Sequence, residues 1–484
     1  MADLISKKVL VSVADKEGIV DFARALKEMG FDVIATGGTQ KLLADNGVEA
    51  TKIGDYTGGT ESERVKTLSQ RVAKEILETG EIGLVVCNLY PFFSAENKPL
   101  DEMIELVDIG GVTLIRAGAK NYKKVAVAYD PKQYGDIVTN LKEGRLDEAY
   151  RLELARRAFD YVAWYDAVIA DYFNAGNPGR QYFSLGAERF IPMRYGENPH
   201  QKAGFYLDNR KQKFFQQLGG KELSYNNIMD TDAAIRLAYE FSDTACAIIK
   251  HANPCGVALA DNLKEAYERA YMADTVSAFG GIVALNRAVD AAAAQEIAKI
   301  FFEVVVAPDF EPEAVKVLQA KKNLRLVRVN PALFPRLVVR NALGGYLVQD
   351  EDFDDFKEWK VATNRAPDNY ETEALKFAWK VCKWVKSNGI VLAIRGRTVG
   401  IGAGQPNRVG SVEIAVRKMG IKPVGVVMAS DGFFPFRDAV EVAAEAGVQA
   451  IIQPGGSIRD QESVDACNGK GMAMVFTGYR HFRH

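Results

Sequence analysis

Lys250 and His251 stand side by side directly after an apolar run, residues 245–249, in this chain of 484 residues. Such a run predicts a buried strand, and open α/β sheets place their chemistry at the ends of strands. A cation beside a proton carrier suits a reaction that builds negative charge on oxygen while a proton moves. The sequence has four histidines, so one at this position is informative. We expect a turn of proline and glycine, residues 254–256, to follow.

The elements that must position these residues alternate between strand and helix. This alternation predicts an α/β fold whose first part is a doubly wound parallel sheet. The predicted strands of this part are residues 9–13, 31–35, 84–88 and 125–128, and the predicted helices are residues 16–29, a segment ending at 43, and 147–174.

A Gly/Pro/Asn cluster at residues 174–179 predicts a domain boundary. We therefore expect one domain over residues 1–180 and another over 181–484. The second domain also alternates between strand and helix, and an acidic run at 350–355 interrupts the pattern. We expect it to form two α/β subdomains that are split near 340–370.

Composition narrows the class of protein. The net charge is −2 and the pI is near 6.2, which gives no bulk attraction to nucleic acid or to an anionic membrane. Five scattered cysteines fit reduced thiols better than a disulfide framework. No apolar run approaches the length of a membrane span, and the N-terminus has no apolar signal region. We expect a cytoplasmic protein.

The run Thr36-Gly37-Gly38-Thr39 lies between a predicted strand and a predicted helix. Glycines let backbone N–H groups approach an anion, and a helix N-terminus adds positive potential, so the run suits a phosphate as well as an ordinary turn. Arg64 and Lys66 stand at alternating positions before Thr67, a pattern that is usually a solvated surface. Together with Lys16 after the first strand, they favour a phosphate pocket.

Other polar residues of this first part close strands or precede helices. Asn88 and Tyr90 close a predicted strand, and Asp108 precedes a predicted helix that ends near Lys120. Each of these residues is as typical of an ordinary turn as of a site.

Polar runs also flank the predicted strands of the second part. The glycines of residues 400–405 lack the G-x-G-x-x-G spacing, so we reject a dinucleotide site there. Residues 430–438 combine three phenylalanines with two aspartates, which favours a flat heterocycle held between rings and a carboxylate. The other runs are residues 194–201, 224–227, 277–281, 386–388, 454–457 and 480–484.

The chain resembles the bifunctional purine-biosynthesis family that combines AICAR transformylase with IMP cyclohydrolase, where AICAR is 5-aminoimidazole-4-carboxamide ribonucleotide. The runs that match in order and approximate spacing are residues 194–201, 250–256, 276–281, 386–388, 400–405, 430–438, 454–459 and 480–484. The resemblance covers nearly the whole chain. It implies formyl transfer from 10-formyltetrahydrofolate to AICAR, then dehydrative ring closure of formyl-AICAR to IMP. It also implies a methylglyoxal-synthase-like first domain, two cytidine-deaminase-like subdomains, and a homodimer with transformylase sites at its interface.

The resemblance implies a role for each matching residue. His251 would assist proton removal from the AICAR amine, and Lys250 would stabilise the oxyanion. Tyr90, Asp108 and Lys120 would act around the closing ring. The nucleotide AICAR would be held by Arg194, Tyr195, Asn227, Gly280, Glu303, Asn388 and Arg480; the folate by Phe433, Asp438 and Ser457; and the cyclohydrolase nucleotide by Lys16, Thr36, Gly38, Thr39, Arg64, Lys66 and Thr67.

A deaminase-like fold raises the question of zinc, whose signature is His-x-Glu with Pro-Cys-x-x-Cys. Here no second cysteine follows Pro254-Cys255, so we predict no catalytic zinc. The resemblance leaves room for a structural potassium ion near Ser387 and Asp431.

The chain departs from the family pattern mainly in its first domain. Ser69 stands where the family usually has histidine, Ala14 replaces a usual serine, and the stretch 64–84 is short. An alternative is therefore a transformylase whose first domain is weak or altered as a cyclohydrolase.

A non-enzymatic nucleotide-binding protein is disfavoured by Lys250 with His251, since retaining a ligand needs no proton carrier. A deaminase is disfavoured by the missing zinc ligands.

Overall fold

The computed structural model describes residues 5–58, 67–92, 98–174, 179–207, 214–333 and 337–484. The chain divides into two compact units. Unit 1 is Met1–Glu188 with Asp208–Arg210, and unit 2 is Arg189–Leu207 with Lys211–His484. Within the described ranges, no helix is both long enough and apolar enough to cross a membrane.

Unit 1 is built on a sheet of five short strands, most of which are apolar. They are β1 (Lys8–Val13), β2 (Asp32–Ala35), β3 (Thr51–Lys52), β4 (Leu84–Asn88) and β5 (Ala126–Ala128). The strands are all parallel, in the order β3-β2-β1-β4-β5. The predicted doubly wound parallel sheet is thereby confirmed.

Helices cover both faces of this sheet. Alternate residues of β1 enter different cores: Val9 and Val11 pack on one face, and Leu10 packs on the other. The helices are α1 (Ile19–Glu28), α2 (Gly37–Asp45), α3 (Ile53–Thr57), α4 (Gln70–Lys74), α5 (Leu100–Ile104), α6 (Gly110–Lys120), α7 (Tyr134–Lys142) and α8 (Glu148–Asn174), with a π-helical turn at Glu75–Thr79 and a 3-10 turn at Pro131–Gln133.

Unit 2 contains a mixed sheet of twelve strands. These strands are β8 (Phe215–Gly219), β9 (Ala245–Lys250), β10 (Asn253–Leu259), β11 (Ile282–Leu285), β12 (Val304–Ala307), β13 (Arg325–Val329), β16 (Lys360–Val361), β17 (Ile390–Ile394), β18 (Arg397–Gly402), β19 (Val427–Ser430), β20 (Ala450–Gln453) and β21 (Ala473–Phe476). The described residues also contain two small strand pairs. They are β6 (Glu188–Met193) with β7 (Ala203–Leu207), and the antiparallel pair β14 (Leu337–Ala342) with β15 (Gly345–Asp350).

The large sheet has two halves with the same strand pattern. Its order is β16-β21-β20-β19-β17-β18-β10-β9-β11-β12-β13-β8, so the hairpins β9–β10 and β17–β18 meet at its centre. The helices are α9 (Tyr225–Ala238), α10 (Leu263–Tyr271), α11 (Thr275–Ala278), α12 (Ala291–Ile297), α13 (Pro312–Gln319), α14 (Asn369–Cys382), α15 (Arg408–Met419), α16 (Asp438–Glu445) and α17 (Asp460–Gly469), with a 3-10 turn at Pro331–Leu333.

The core of unit 2 lies on both faces of this sheet. Side chains of α9 and α14 share one cluster along a single face. On the other face, α10, α12 and α13 cover the first half, and α15, α16 and α17 cover the second. Each half is therefore a three-layer arrangement of helix, sheet and helix.

The register brings several strand ends to one edge, which we call the polar edge. Ile249 pairs with Ile282, and Ile390 pairs with both Gly402 and Ser430. Strands β10 and β18 run antiparallel. The polar edge therefore comprises the carboxyl ends of β9, β18, β19, β20 and β21 and the amino ends of β10, β11, β12, β13 and β17.

The expected proline–glycine turn at 254–256 is wrong. Pro254 and Gly256 lie within β10, where the register with β9 shifts between them. Proline is tolerated in a strand at such an irregularity. A β-carbon on Gly256 would lie 2.0 Å from the carbonyl oxygen of Ala270, so this glycine allows α10 to pack closely. The turn itself is His251 with Ala252.

Candidate active sites

Four of the predicted phosphate residues of unit 1 lie at the carboxyl ends of β1 and β2: Lys16, Thr36, Gly38 and Thr39. Thr36 is the N-cap residue of α2, and the backbone at Gly38 is open, because a β-carbon there would have nothing within 4 Å. The ammonium of Lys16 donates to the hydroxyl of buried Thr39 at 2.8 Å and also contacts the carbonyl of Val13. Burial lowers the pKa of Lys16. This corner can receive an anion through a helix N-terminus and a lysine.

Asp108 organises the loop that follows the carboxyl end of β4. Its carboxylate accepts hydrogen bonds from the N–H of Gly111 at 2.6 Å and from the N–H of Tyr90 at 3.4 Å. Burial raises the pKa of the Asp108 carboxyl, although both N–H groups oppose the shift. The side chain of Tyr90 is half exposed. Asp108 and Tyr90 therefore lie together beside the start of α6.

The other residues predicted for this site are placed differently. Thr67 lies against the start of α6, because a β-carbon on Gly110 would be 2.5 Å from its hydroxyl. Lys120 ends α6, ten residues beyond Gly110 and hence about 15 Å along the helix. The structure does not bring Lys120 to Asp108 within this chain. Arg64 and Lys66 lie outside the described residues.

Two side chains of unit 1 have structural roles that the sequence did not reveal. The amide oxygen of Asn88 accepts from the N–H groups of Ala14 and Asp15 at 2.6 and 2.8 Å, and thereby fixes the loop that carries Lys16. Ser69 caps α4 by accepting from the N–H of Val72 at 3.1 Å. The signal for Asn88 was its polarity at the end of a buried strand.

In unit 2, Lys250 and His251 lie on the polar edge. The Lys250 ammonium donates to the carbonyl oxygen of Phe279 at 2.7 Å, next to Gly280. His251 is exposed, and its backbone N–H donates to Asp230 at 3.0 Å. Asp230 was not among the predicted site residues. A cation and an imidazole are thus held at an accessible turn.

Asn388 lies near this turn but is firmly bound. The side chain of Asn253 accepts from the N–H of Lys386 at 3.1 Å, which joins the two hairpins. The amide of Asn388 donates to the Gln405 carbonyl at 2.9 Å and accepts from Arg408 at 2.6 Å. Its orientation is therefore fixed from both sides.

Arg408 and Asp431 form a buried ion pair behind Asn388, with side chains 6% and 0% exposed. The second carboxylate oxygen of Asp431 accepts from the hydroxyl of Ser387 at 2.6 Å. Because Arg408 already compensates the carboxylate, these contacts do not call for a potassium ion. Within the described ranges, no three His, Cys, Asp or Glu side chains cluster as metal ligands do.

Asn227, Gly280 and Glu303, which are predicted to hold AICAR, belong to the first half of the large sheet. Asn388, which precedes β17, and Arg480, which follows β21, belong to the second half. Asn227 caps α9 reciprocally with Ser224, and Gly280 has a left-handed backbone with φ 74°. Glu303 forms an ion pair with Arg325. The guanidinium of Arg194 lies 5.5 Å from the ring of Tyr195, and that of Arg480 lies 4.7 Å from the ring of Phe482.

The residues predicted to hold the folate occupy the second half of the polar edge. Phe433 is exposed after β19, whereas the neighbouring Phe434 is buried in the core. Asp438 begins α16 with its carboxylate exposed. Ser457 lies in the loop after β20, where its N–H donates to Asp460 at 3.1 Å.

Glu303 of the AICAR group and Ser457 of the folate group are far apart within one chain. Glu303 precedes β12 and Ser457 follows β20, and seven strand spacings separate these strands. At about 4.8 Å per spacing, the separation is roughly 34 Å. One polar edge therefore carries both groups, but it does not bring Glu303 to Ser457.

Comparison with known proteins agrees with this architecture. The model of the AICARFT/IMPCHase bienzyme family matches residues 118–418, and that of the MGS-like domain matches residues 18–113. A bifunctional purine biosynthesis protein PurH from Thermoanaerobacter sp. is 48% identical, over 99% of this chain and all of the relative. Proteins of that name from Petrotoga mobilis and Sorangium cellulosum are each 46% identical over 99% of this chain, and 99% and 100% of their own lengths are covered. The chain belongs to the AICARFT/IMPCHase bienzyme family, which confirms the resemblance read from its motifs.

Proposed function

We propose that this chain transfers a formyl group from 10-formyltetrahydrofolate to AICAR in unit 2 and closes formyl-AICAR to IMP in unit 1, in the cytoplasm. The observation that carries the proposal is the turn on the polar edge. At this turn the exposed imidazole of His251 comes directly after Lys250, whose ammonium donates to the carbonyl oxygen of Phe279.

In the transfer step, the AICAR amine attacks the formyl carbon and an oxyanion develops. Lys250 stabilises this charge, since a cation at the developing oxyanion lowers the barrier. His251 takes the amine proton as general base. The bond from the formyl carbon to the folate nitrogen then breaks, and that nitrogen receives a proton. Asn388, held by Arg408, forms a rigid wall of the site.

We propose that two copies of the chain assemble so that the two groups of the polar edge meet. Glu303 and Ser457 are roughly 34 Å apart by strand spacing, which is too far for one nucleotide and one pterin to react. A second copy can place its folate group beside the AICAR group of the first. This supports the expected homodimer with sites at the interface.

In the closure step, the nucleophilic amide and the formyl group belong to one molecule. Holding them in a folded geometry supplies much of the rate gain. Lys16, Thr36 and Thr39 would hold the phosphate at the start of α2. Asp108 and Tyr90 lie together and would orient the closing ring, which loses water. Lys120 is too distant within this chain to join them.

Arg64→Ala and Lys66→Ala should weaken nucleotide binding in unit 1 alone. Each change removes a cation from the predicted phosphate pocket, so the KM for formyl-AICAR should rise about tenfold, as for one lost charge-assisted hydrogen bond. Formyl transfer should stay normal. The matched control is Lys142→Ala, at the exposed end of α7. A parallel fall in formyl transfer would show that the two sites are not independent.

Phe433→Ala should raise the KM for 10-formyltetrahydrofolate more than the KM for AICAR. The exposed ring lies among the residues predicted to hold the folate, and loss of a stacking face costs about 1 kcal/mol, or fivefold in affinity. Asp438→Asn should act likewise. Tyr346→Ala, an exposed aromatic in β15, is the control. If the effect falls on AICAR alone, the assignment of the two groups is reversed.

Formyl-AICAR supplied alone tests unit 1 without the transfer step. Closure faster than in protein-free buffer supports the bifunctional proposal. No acceleration would favour the alternative of a transformylase with an altered first domain.

A further inference from the structure

The turn that carries His251 adopts an unfavourable backbone conformation. Lys250 pairs with Asn253, which leaves a loop of two residues between β9 and β10. Both loop residues are left-handed, with φ 55° at His251 and 56° at Ala252. Two-residue hairpin loops of this kind are normally Asn-Gly or Asp-Gly, because a β-carbon disfavours positive φ. Neither residue here is a glycine.

Two other hairpins of unit 2 use a glycine at this place. The loop between β14 and β15 is Leu343 with Gly344, at φ 49° and 77°. The loop between β17 and β18 contains Gly396 at φ 71°. The β9–β10 loop therefore needs a stabilising contact from outside the hairpin.

Asp230 of α9 supplies that contact with both carboxylate oxygens. Oδ2 accepts from the N–H of His251 at 3.0 Å, and Oδ1 accepts from the N–H of Ala252 at 2.6 Å. Hydrogen bonds to an ionised acceptor are stronger than neutral ones. Helix α9 packs directly on β9, so the carboxylate is held on a rigid element. The two N–H groups point to one carboxylate because both residues are left-handed.

We infer that Asp230 is a positioning residue for formyl transfer, and this inference rests on the function proposed above for His251. Asp230 is only partly exposed, and it binds the backbone rather than a reacting group. Its effect is to fix the backbone from which the imidazole projects. A small displacement of a catalytic group lowers the rate while leaving substrate binding largely intact.

Asp230→Ala in the full-length protein should lower the kcat of formyl transfer by about a hundredfold, with the KM for AICAR little changed. Closure of formyl-AICAR should be unaffected. Adding Ala252→Gly should restore a large part of the lost kcat, because glycine adopts positive φ without a β-carbon. Asp230→Asn should fall between the parent and Asp230→Ala, because the amide keeps one acceptor oxygen.

Two results would overturn the inference. One is a kcat for Asp230→Ala within about twofold of the kcat of the parent protein, because loss of a positioning residue should lower kcat about a hundredfold. The other is a loss of kcat that Ala252→Gly does not restore and that accompanies a lower midpoint of unfolding. Asp230 would then act on stability alone. His251→Ala is assayed alongside. If that variant keeps normal turnover, the catalytic role proposed for His251 fails, whatever Asp230→Ala shows.

Discussion

His251→Ala should abolish most formyl transfer, with a fall in kcat of about 10²–10⁴-fold, the usual contribution of general acid–base catalysis. The imidazole is exposed at the end of a rigid hairpin, so its removal leaves no cavity in the core. The loss should therefore appear in turnover rather than in folding. Steady-state kinetics with AICAR and 10-formyltetrahydrofolate measure it.

Two controls accompany this variant. Closure of formyl-AICAR, measured on the same preparation, should be unchanged, because unit 1 contains its own candidate site. His484→Ala, at the exposed end of the chain, should retain formyl transfer. Near-normal turnover in His251→Ala would remove the assigned role of His251.

Arg408→Ala should destabilise unit 2 strongly. It leaves the carboxylate of Asp431, which is fully buried, without its cationic partner. Breaking one side of a buried ion pair typically costs about 3–5 kcal/mol in the free energy of unfolding. Asn388 also loses the guanidinium that holds its amide oxygen, so formyl transfer should fall as well. Urea unfolding followed by tryptophan fluorescence reports the loss, because Trp379 and Trp384 are buried in unit 2.

Two further variants test whether the unpaired carboxylate of Asp431 causes the loss of stability. Arg417→Ala removes an exposed arginine from the same helix, α15, and should change stability little. Arg408→Ala with Asp431→Asn should recover part of the stability, because no buried charge remains unpaired. A cost of less than about 1 kcal/mol for Arg408→Ala would show that the pair behaves like a surface ion pair.

The central strands of the two large sheets were predictable from sequence because they are short, apolar and buried. Residues 84–88 form a strand as predicted, and the apolar run 245–249 lies within β9. The predicted helix over 147–174 is observed as Glu148–Asn174. Their residues pack on both faces of a sheet, so a continuous hydrophobic run is enough to predict each strand. The polar edge follows from this, since residues that end such strands lie together.

The contacts that hold the site were not predictable from the same patterns. Asp230 is 21 residues before His251, and Arg408 is 23 residues before Asp431. No local spacing links such partners, because tertiary packing brings them together. The turn at His251 was misplaced for a related reason: proline and glycine at 254–256 are typical turn residues, whereas His-Ala is not.

The central claim is that one chain performs two consecutive reactions. Its most direct test supplies the purified protein with AICAR and 10-formyltetrahydrofolate and resolves formyl-AICAR from IMP over time. We expect formyl-AICAR to appear first and IMP to follow faster than spontaneous closure of formyl-AICAR allows. Formyl-AICAR that accumulates while IMP forms no faster than in protein-free buffer would contradict the bifunctional account.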